Sequence, residues 1–175
     1  SVVYARWMNV LKHWWLRGVD EDEQVADTVK TIDDMELLLN WNKEIDADFE
    51  DREGVSLLMY AASMDNLSVA ARLVEKINTD FRGDAKERQR RIESRICKEG
   101  FLKLGIPGSC SALIIAMTVS SPDMIQLLLE NGANASATDI TGNNPLMCAC
   151  TYNNVNNVKF WLKEFPDWDL EARNT

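Results

Sequence analysis

The chain has 175 residues, of which 46% are hydrophobic and 27% are charged, and its formal net charge at pH 7 is -9. These proportions are typical of globular proteins and exclude a wholly disordered chain. The negative charge argues against nucleic acid or an anionic membrane as the main partner. The longest apolar run covers residues 112–117 and is far shorter than the roughly 18 residues that a membrane helix needs.

Cysteine usage and the first residues bear on the compartment. The four cysteines form neither a CxxC pair nor a disulfide framework, so we expect a reducing, intracellular setting, cytoplasmic by default. The sequence shows no signal-peptide pattern. Because the chain begins at Ser1 and not at methionine, we expect that an upstream segment was removed or left out. If that segment was a targeting sequence, an organellar location stays open.

The first predicted element is a tryptophan-rich helix within residues 1–19. Gly18 marks its end, and one helical face carries the apolar residues Val3, Trp7, Val10, Leu11 and Trp14. One interpretation is a capping helix that covers the first repeat. The other is a partner-docking helix with Trp7, Trp14 and Trp15 as its contact residues. The single histidine, His13, lies beside them without metal-ligand spacing and is interpreted as an interface or surface residue.

A regular repeat organises the rest of the chain. Leu113 and Leu146 each begin an apolar run, and the interval between them is about 33 residues. Leu58 begins an earlier run, at a longer interval that corresponds to one period plus an insertion. Alanine follows each of these leucines three positions later. A second apolar cluster follows further along each unit: Val69, Ala70, Leu73 and Val74, then Met124, Ile125, Leu128 and Leu129, then Val158, Trp161 and Leu162.

Each unit is predicted to be a short helix, a turn, a longer helix and an extended polar turn. Pro122 and Asp123 are typical of the start of a helix, and Gly132 is typical of the position just past its end. We expect the extended turns near residues 46–55 and 133–144. A single helix pair cannot bury its apolar face, so the units must stack on one another.

These units resemble ankyrin repeats, whose signature is T-P-L-H-x-A. The matching stretches are SLLMYA, SALIIA and NPLMCA, and LLLENGANASATD resembles the end of a unit. The resemblance implies an all-α fold, an ankyrin-like α-solenoid with hairpin turns, plus the N-terminal capping helix. No unit has the Thr and the His of the signature, and Phe165 and Pro166 replace the Gly-Ala that closes a unit. We therefore expect partly missing hydrogen bonds and an irregular stack of modest stability.

The predicted organisation follows from these boundaries. It comprises the N-terminal helix at residues 1–19, a partial first repeat at 20–50, a second repeat at 51–81, a basic helical insertion at 82–105, a third repeat at 106–138, and a fourth repeat with the start of a truncated further one at 139–175. The insertion has eight Lys or Arg and four Asp or Glu residues. Its Ile92 and Ile96 share one helical stripe, which covers either its own domain or a partner. In the second case Arg91 and Arg95 are contact candidates.

No pattern in the sequence indicates an enzyme. Cys148 and Cys150 are two positions apart on a predicted helix and point in different directions, which disfavours a shared metal. Cys97 and Cys110 have no neighbouring histidine, and the turn at residues 105–108 lacks the lysine and glycine spacing of a phosphate loop. We expect no catalytic residue, no cofactor, no metal and no small-molecule substrate.

The resemblance implies a protein–protein interaction module, which binds through its hairpin tips and through the ends of the first helices. Carried over to this sequence, the contact residues are Arg52, Glu53, Val55, Ser63 and Met64 in the second unit and Ile140, Thr141, Asn143, Thr151 and Tyr152 in the fourth.

The alternative is a structural subunit of a larger assembly. The last residues resemble the entry into a further hairpin, so we expect apolar side chains of the fourth unit, including some of Tyr152, Val155, Val158 and Trp161, to face the outer side uncovered, and more chain or another subunit to follow.

Overall fold

A computed structural model describes residues 55–94 and 108–174. Over these ranges the chain forms seven helices and no extended strand, which confirms the predicted all-α class. The helices are α1 (Leu57–Ser63), α2 (Leu67–Asp80), α3 (Ala85–Ile92), α4 (Ala112–Val119), α5 (Pro122–Glu130), α6 (Pro145–Thr151) and α7 (Val155–Glu164). The N-terminal helix and the partial first repeat of the sequence analysis lie outside the described residues.

Three helix pairs, α1–α2, α4–α5 and α6–α7, stack side by side. The short helices α1, α4 and α6 contact one another in succession, and so do the longer helices α2, α5 and α7. This arrangement gives two layers of helices with the core between them. The regular spacing of the marker leucines is therefore the spacing of stacked helix pairs.

A polar side chain caps the N-terminus of each short helix. The side-chain oxygens of Ser56, Ser111 and Asn144 accept hydrogen bonds from the backbone N–H three positions later, over 3.3, 3.5 and 2.9 Å. Serine, threonine and asparagine are among the residues that best satisfy the open N–H groups at this position. The missing threonine of the T-P-L-H signature therefore leaves none of these three short helices without a side-chain cap.

The turn between the two helices of a unit uses a left-handed residue followed by an asparagine cap. Asp65 and Asn153 have φ values of 51° and 55°, a conformation that Asn and Asp tolerate better than most residues. The next residues, Asn66 and Asn154, accept hydrogen bonds from the third residue of α2 and α7. The middle unit differs, because α5 begins with Pro122, which has no backbone N–H group that would need an acceptor.

The ends of the long helices differ between units. Gly132 follows α5 with a φ of 94°, as predicted for the residue that ends this helix. Phe165, which follows α7 as its C-terminal cap, has a φ of -124°, and Pro166 comes next. A side chain at Phe165 costs no strain in this conformation, so the fourth unit closes without the glycine.

The core is centred on the middle unit. Seven of the eight residues of α4 are buried, and the equivalent residues Leu73, Leu128 and Trp161 of the three long helices are at most 2% exposed. In contrast, Leu162 at the end of the stack is 39% exposed. Burying a leucine side chain stabilises a protein by about 1.5–3 kcal/mol, so the pairs α1–α2 and α4–α5, which hold most of the buried apolar side chains, carry most of the apolar stabilisation.

Trp161 is fully buried, so it is not one of the fourth unit's apolar side chains that face the outer side uncovered. Phe165 and Trp168 pack on it, with ring centroids 4.6 and 5.1 Å from its own. The residues after α7 therefore fold back over the last long helix. Val155, at 52% exposure, is uncovered as expected.

The described part of the basic insertion packs on its own domain. Helix α3 is capped by Asp84, contacts α2, and buries Ile92 to 1% exposure. Glu93, just past the end of α3, accepts a hydrogen bond from the backbone N–H of Asn134 in the third unit. Ile92 therefore covers the repeat stack, while Ile96 lies outside the described residues.

Candidate protein-binding surface

The hairpin at residues 139–143 is built around the carboxylate of Asp139. One carboxylate oxygen, Oδ1, accepts hydrogen bonds from the backbone N–H of Thr141 and of Asn143 and from the Thr141 hydroxyl, over 2.7 to 2.9 Å. The other oxygen accepts one from the side-chain amide of Asn143 over 3.0 Å. Gly142 completes the turn with a φ of 76°. This network fixes the backbone of the tip in one conformation.

Asp139 is an ionised group in a nearly closed site, since it is only 5% exposed. Burial raises the pKa of its carboxyl, but the hydrogen bonds from Thr141 and Asn143 outweigh burial and hold the pKa below its usual value. The carboxylate charge is thus stabilised by hydrogen bonds within the turn. Asp139 positions the tip and is not itself accessible to a partner.

The hairpin is tied to its neighbours on both sides. Its Ile140 N–H donates to the carbonyl of Gly108 in the preceding unit over 3.0 Å, and the Asn143 side chain accepts from Asn174 over 2.9 Å. With the backbone held in this way, the Ile140 side chain points outward and is 65% exposed. Thr141 is also exposed. The tip therefore presents an apolar side chain on a rigid support.

The predicted helix-end residues lie at the C-terminal ends of α1 and α6. Ser63 and Thr151 each donate a hydroxyl hydrogen bond back to the helix, to the carbonyls of Tyr60 and Met147. Met64 and Tyr152 follow as the C-terminal caps of these helices and are half-buried. Burial, with smaller contributions from Cys110, Cys148 and Asp139, raises the pKa of the Tyr152 phenol, which keeps it neutral at physiological pH.

Val119 belongs with these residues, and sequence reasoning missed it. It occupies the same place in the third unit, six positions after Leu113, and is 41% exposed. Its unit has no recognisable hairpin tip, so the family pattern gave no reason to include it. The signal that could have found it is the spacing: Met64 and Tyr152 also come six positions after the marker leucine of their units.

Several predicted contact residues are not at this surface or are not described. Val55 is 3% exposed and packs in the core, which removes it from the predicted contact set. Arg52 and Glu53 lie outside the described residues. So do the secondary candidates Trp7, Trp14, Trp15 and Arg95.

Arg91 has structural partners on its own helix and just before it. Its guanidinium lies 2.8 Å from Glu87 and 5.4 Å from the centroid of the Phe81 ring. Glu87 also pairs with Arg90, and this hydrogen bond, with that of Arg91, lowers the pKa of Glu87 to about 2. The acidic partner and the aromatic ring hold Arg91 against the surface of the insertion.

The buried Cys148 thiol next to the hairpin is not arranged as a nucleophile. Burial raises the pKa of the Cys148 thiol far above its usual value, with the nearby Asp139 adding to the shift. Nucleophilic cysteines have lowered values, because the thiolate is the reactive form. In residues 55–94 and 108–174 no group of His, Cys, Asp and Glu side chains has the arrangement that holds a metal ion. No helix in the same ranges combines the length and apolarity required to cross a bilayer.

Comparison with protein families gives a match over residues 95–172, to the family model described as ankyrin repeats (3 copies). The match confirms the resemblance drawn from the sequence. Helices α4 to α7 lie within it, and the pair α1–α2, upstream of it, stacks on α4 and α5 in the same way. No curated protein matches the chain.

Proposed function

We propose, on the premise that residues 95–172 match ankyrin repeats, which are generally protein–protein interaction modules and typically non-catalytic, that the chain binds a protein partner through its hairpin tips and the C-terminal ends of its short helices. The contact residues of this proposal are the exposed Ile140, Thr141 and Thr151 and the half-buried Met64 and Tyr152. Arg52 and Glu53 remain predicted members of the same surface.

The observation that carries the proposal is the rigid presentation of Ile140. An isoleucine that is 65% exposed keeps most of its apolar surface open for contact with a partner. The four hydrogen bonds that Asp139 accepts from Thr141 and Asn143 hold the backbone beneath it. A preorganised apolar contact loses less entropy on binding than a flexible one, which is why such residues act as anchors.

The test is to capture the partner from the native source, identify it, and measure its affinity for variants of the chain. The double change of Met64→Ala with Tyr152→Ala should weaken binding by more than roughly 1 kcal/mol, and Ile140→Ala should weaken it as well. Lys159→Ala, an exposed change on α7, is the control and should leave the affinity unchanged. Unchanged affinity in all variants, with the fold intact, would move the binding site to another face.

A second candidate function is that of a structural subunit within a larger assembly. The observation that favours it is the apolar exposure at the end of the stack, where Leu162 and Leu170 are 39% and 67% exposed. Solution behaviour separates the two functions. A reversible binder is monomeric and soluble as an isolated chain, whereas a permanent subunit aggregates or stays partly unfolded without its neighbours.

The proposed setting is intracellular. Among the described residues, Cys110, Cys148 and Cys150 form no disulfide, and Cys150 is exposed. An exposed thiol persists best in a reducing compartment. The proposed activity involves no catalysis, cofactor, nucleic acid or small-molecule substrate.

A further inference from the structure

The junctions between the short and long helices of the three pairs form one edge of the stack. We call this surface the turn edge, and it consists of residues 63–68, 118–123 and 151–156. Hydrogen bonds hold the junctions side by side. The Asp65 carboxylate accepts from the N–H and the hydroxyl of Ser121, both over 2.9 Å. The Asn154 amide donates to the carbonyl of Ser120 over 3.2 Å.

Two parallel rows of apolar side chains run along the turn edge. One row consists of residues at the ends of the short helices, and the other of residues at the starts of the long helices. The most exposed members are Val119, Leu67 and Val155, at 41%, 38% and 52%. In full, the rows are Met64, Val119 and Tyr152, and Leu67, Pro122 and Val155. Among the described residues, six large apolar residues are exposed, and three of them (Leu67, Val119 and Val155) lie on the turn edge.

The charge of the turn edge has one sign. It includes two aspartates, Asp65 and Asp123, both exposed, and its three segments contain no lysine or arginine. The chain as a whole is also negative, at -9. A partner that covers the apolar rows therefore gains most when basic residues flank its own apolar contacts.

The spacing of the rows selects the conformation of that partner. Packed helices lie about 8–10 Å apart, so equivalent side chains of successive units repeat at about that distance. Along an α-helix, side chains at i and i+7 lie on the same face and are separated by about 10.5 Å. Side chains on one face of a strand recur at about 6.7 or 13 Å, which does not match. A partner helix that contacts all three units, through positions i, i+7 and i+14, must therefore have about 15 residues or more.

We propose that the turn edge binds a basic amphipathic helix of the partner, with apolar residues at positions i, i+7 and i+14 over the two rows and Lys or Arg residues beside Asp65 and Asp123. This inference rests on the proposed function and names the class of partner. It places the centre of the contact at Val119. The hairpin tip at Ile140 is then a second contact with the same partner, outside the helix site.

A display experiment tests the proposal without a known partner. The probe is a yeast-displayed library of helix-forming peptides of about 18 residues, randomised on one face and its flanks. It is selected against the whole chain. The selected peptides are synthesised, and their dissociation constants are measured for the wild type, for Val119→Asp, for Val155→Asp, for Ile140→Asp at the hairpin tip and, as the matched control, for Leu170→Asp. All four changed side chains are exposed, and equal melting temperatures verify that the fold is kept.

The expected peptides are helical when bound, have apolar residues seven apart, and carry more Lys and Arg than Asp and Glu. Val119→Asp and Val155→Asp should each weaken binding about tenfold, and Leu170→Asp by less than about threefold. Peptides that bind Val119→Asp as well as the wild type overturn the inference. If they lose affinity only for Ile140→Asp, the proposed function survives while the turn-edge site does not. A selection that yields no binder also overturns the inference, and the captured partner then decides the proposed function.

Discussion

The Nδ2 atom of Asn157 lies 2.9 Å from the carbonyl oxygen of Ser120, so a side chain of the fourth unit binds the end of a helix in the third. The same amide lies 3.1 and 3.2 Å from the carbonyls of Ala116 and Met117. The final carbonyls of a helix have no partners within the helix. Asn157, which is fully buried, therefore adds a donor at a buried helix end, where the Ala116 carbonyl also accepts from the Ser120 N–H and the Ser120 carbonyl from the Asn154 amide.

Replacing Asn157 tests this role. Asn157→Ala should lower the free energy of unfolding by about 1–3 kcal/mol, because buried carbonyls lose a donor. Asn157→Asp should cost more, because a carboxylate offers no donor and would face carbonyl oxygens. Chemical denaturation of both variants is the measurement. The control is Asn156→Ala, at the exposed neighbouring position of the same helix, and an equal loss there would show that the donor is not what matters.

Leu128→Ala tests the core. Leu128 is fully buried in α5, so the change should lower the free energy of unfolding by about 2–5 kcal/mol through lost burial and the cavity left behind. Leu162→Ala, on the last helix and 39% exposed, should cost clearly less. Urea unfolding measures both. Equal costs at the two positions would mean that the middle unit is not the most tightly packed part of the stack.

Much of the fold could be predicted from the sequence because apolar spacing and turn residues act locally. The spacing of Leu113 and Leu146 indicates stacked pairs, and Gly132 indicates the end of a helix. The capping of the short helices was not predicted, although Ser56 and Asn144 occupy the position at which the signature has its threonine and accept the N-terminal hydrogen bond there. Hydrogen bonding to a helix N-terminus needs a side-chain oxygen at the right place and does not need one residue type.

The candidate surface was less predictable because exposure depends on contacts between units. Val55 falls at a family contact position but is buried by its neighbours, and Val119 was not predicted although it is exposed. Trp161 was one of four residues of which some were expected to be uncovered, and the residues after α7 cover it. None of these outcomes follows from the residues of one unit alone, since each depends on what packs beside it.

The acid sensitivity of the hairpin follows from the lowered pKa of Asp139. The unfolded chain has a carboxyl pKa of about 3.9 at this residue, and the folded chain a lower one. Such a group stabilises the fold fully above the unfolded value, and the contribution is lost as the pH falls through the folded value. Asp139→Asn should therefore destabilise the chain at pH 6–7 and make less difference near pH 3.

Denaturation at both pH values, for the wild type and for Asp139→Asn, is the measurement. Asp123→Asn is the control. Asp123 is exposed at the start of α5, and among the described residues its side chain accepts no set of hydrogen bonds like that of Asp139. A destabilisation by Asp139→Asn that is the same at both pH values would show that its charge does not contribute to the turn.

Trp168 is the residue that covers the end of the last long helix. Its ring contacts Trp161 edge-on at 5.1 Å and Phe165 at 5.6 Å, and this cluster buries Trp161 completely. Trp168→Ala removes one side of the cover, so Trp161 should become exposed to solvent. We expect the free energy of unfolding to fall by about 1–3 kcal/mol, because Trp168 is itself only half-buried, and the binding of a hydrophobic dye to rise. Leu170→Ala is the matched control from the same segment, since Leu170 is 67% exposed and its loss uncovers little. If Trp168→Ala leaves both dye binding and stability at the level of Leu170→Ala, the aromatic cluster does not cover the stack, and the burial of Trp161 must come from the helices alone.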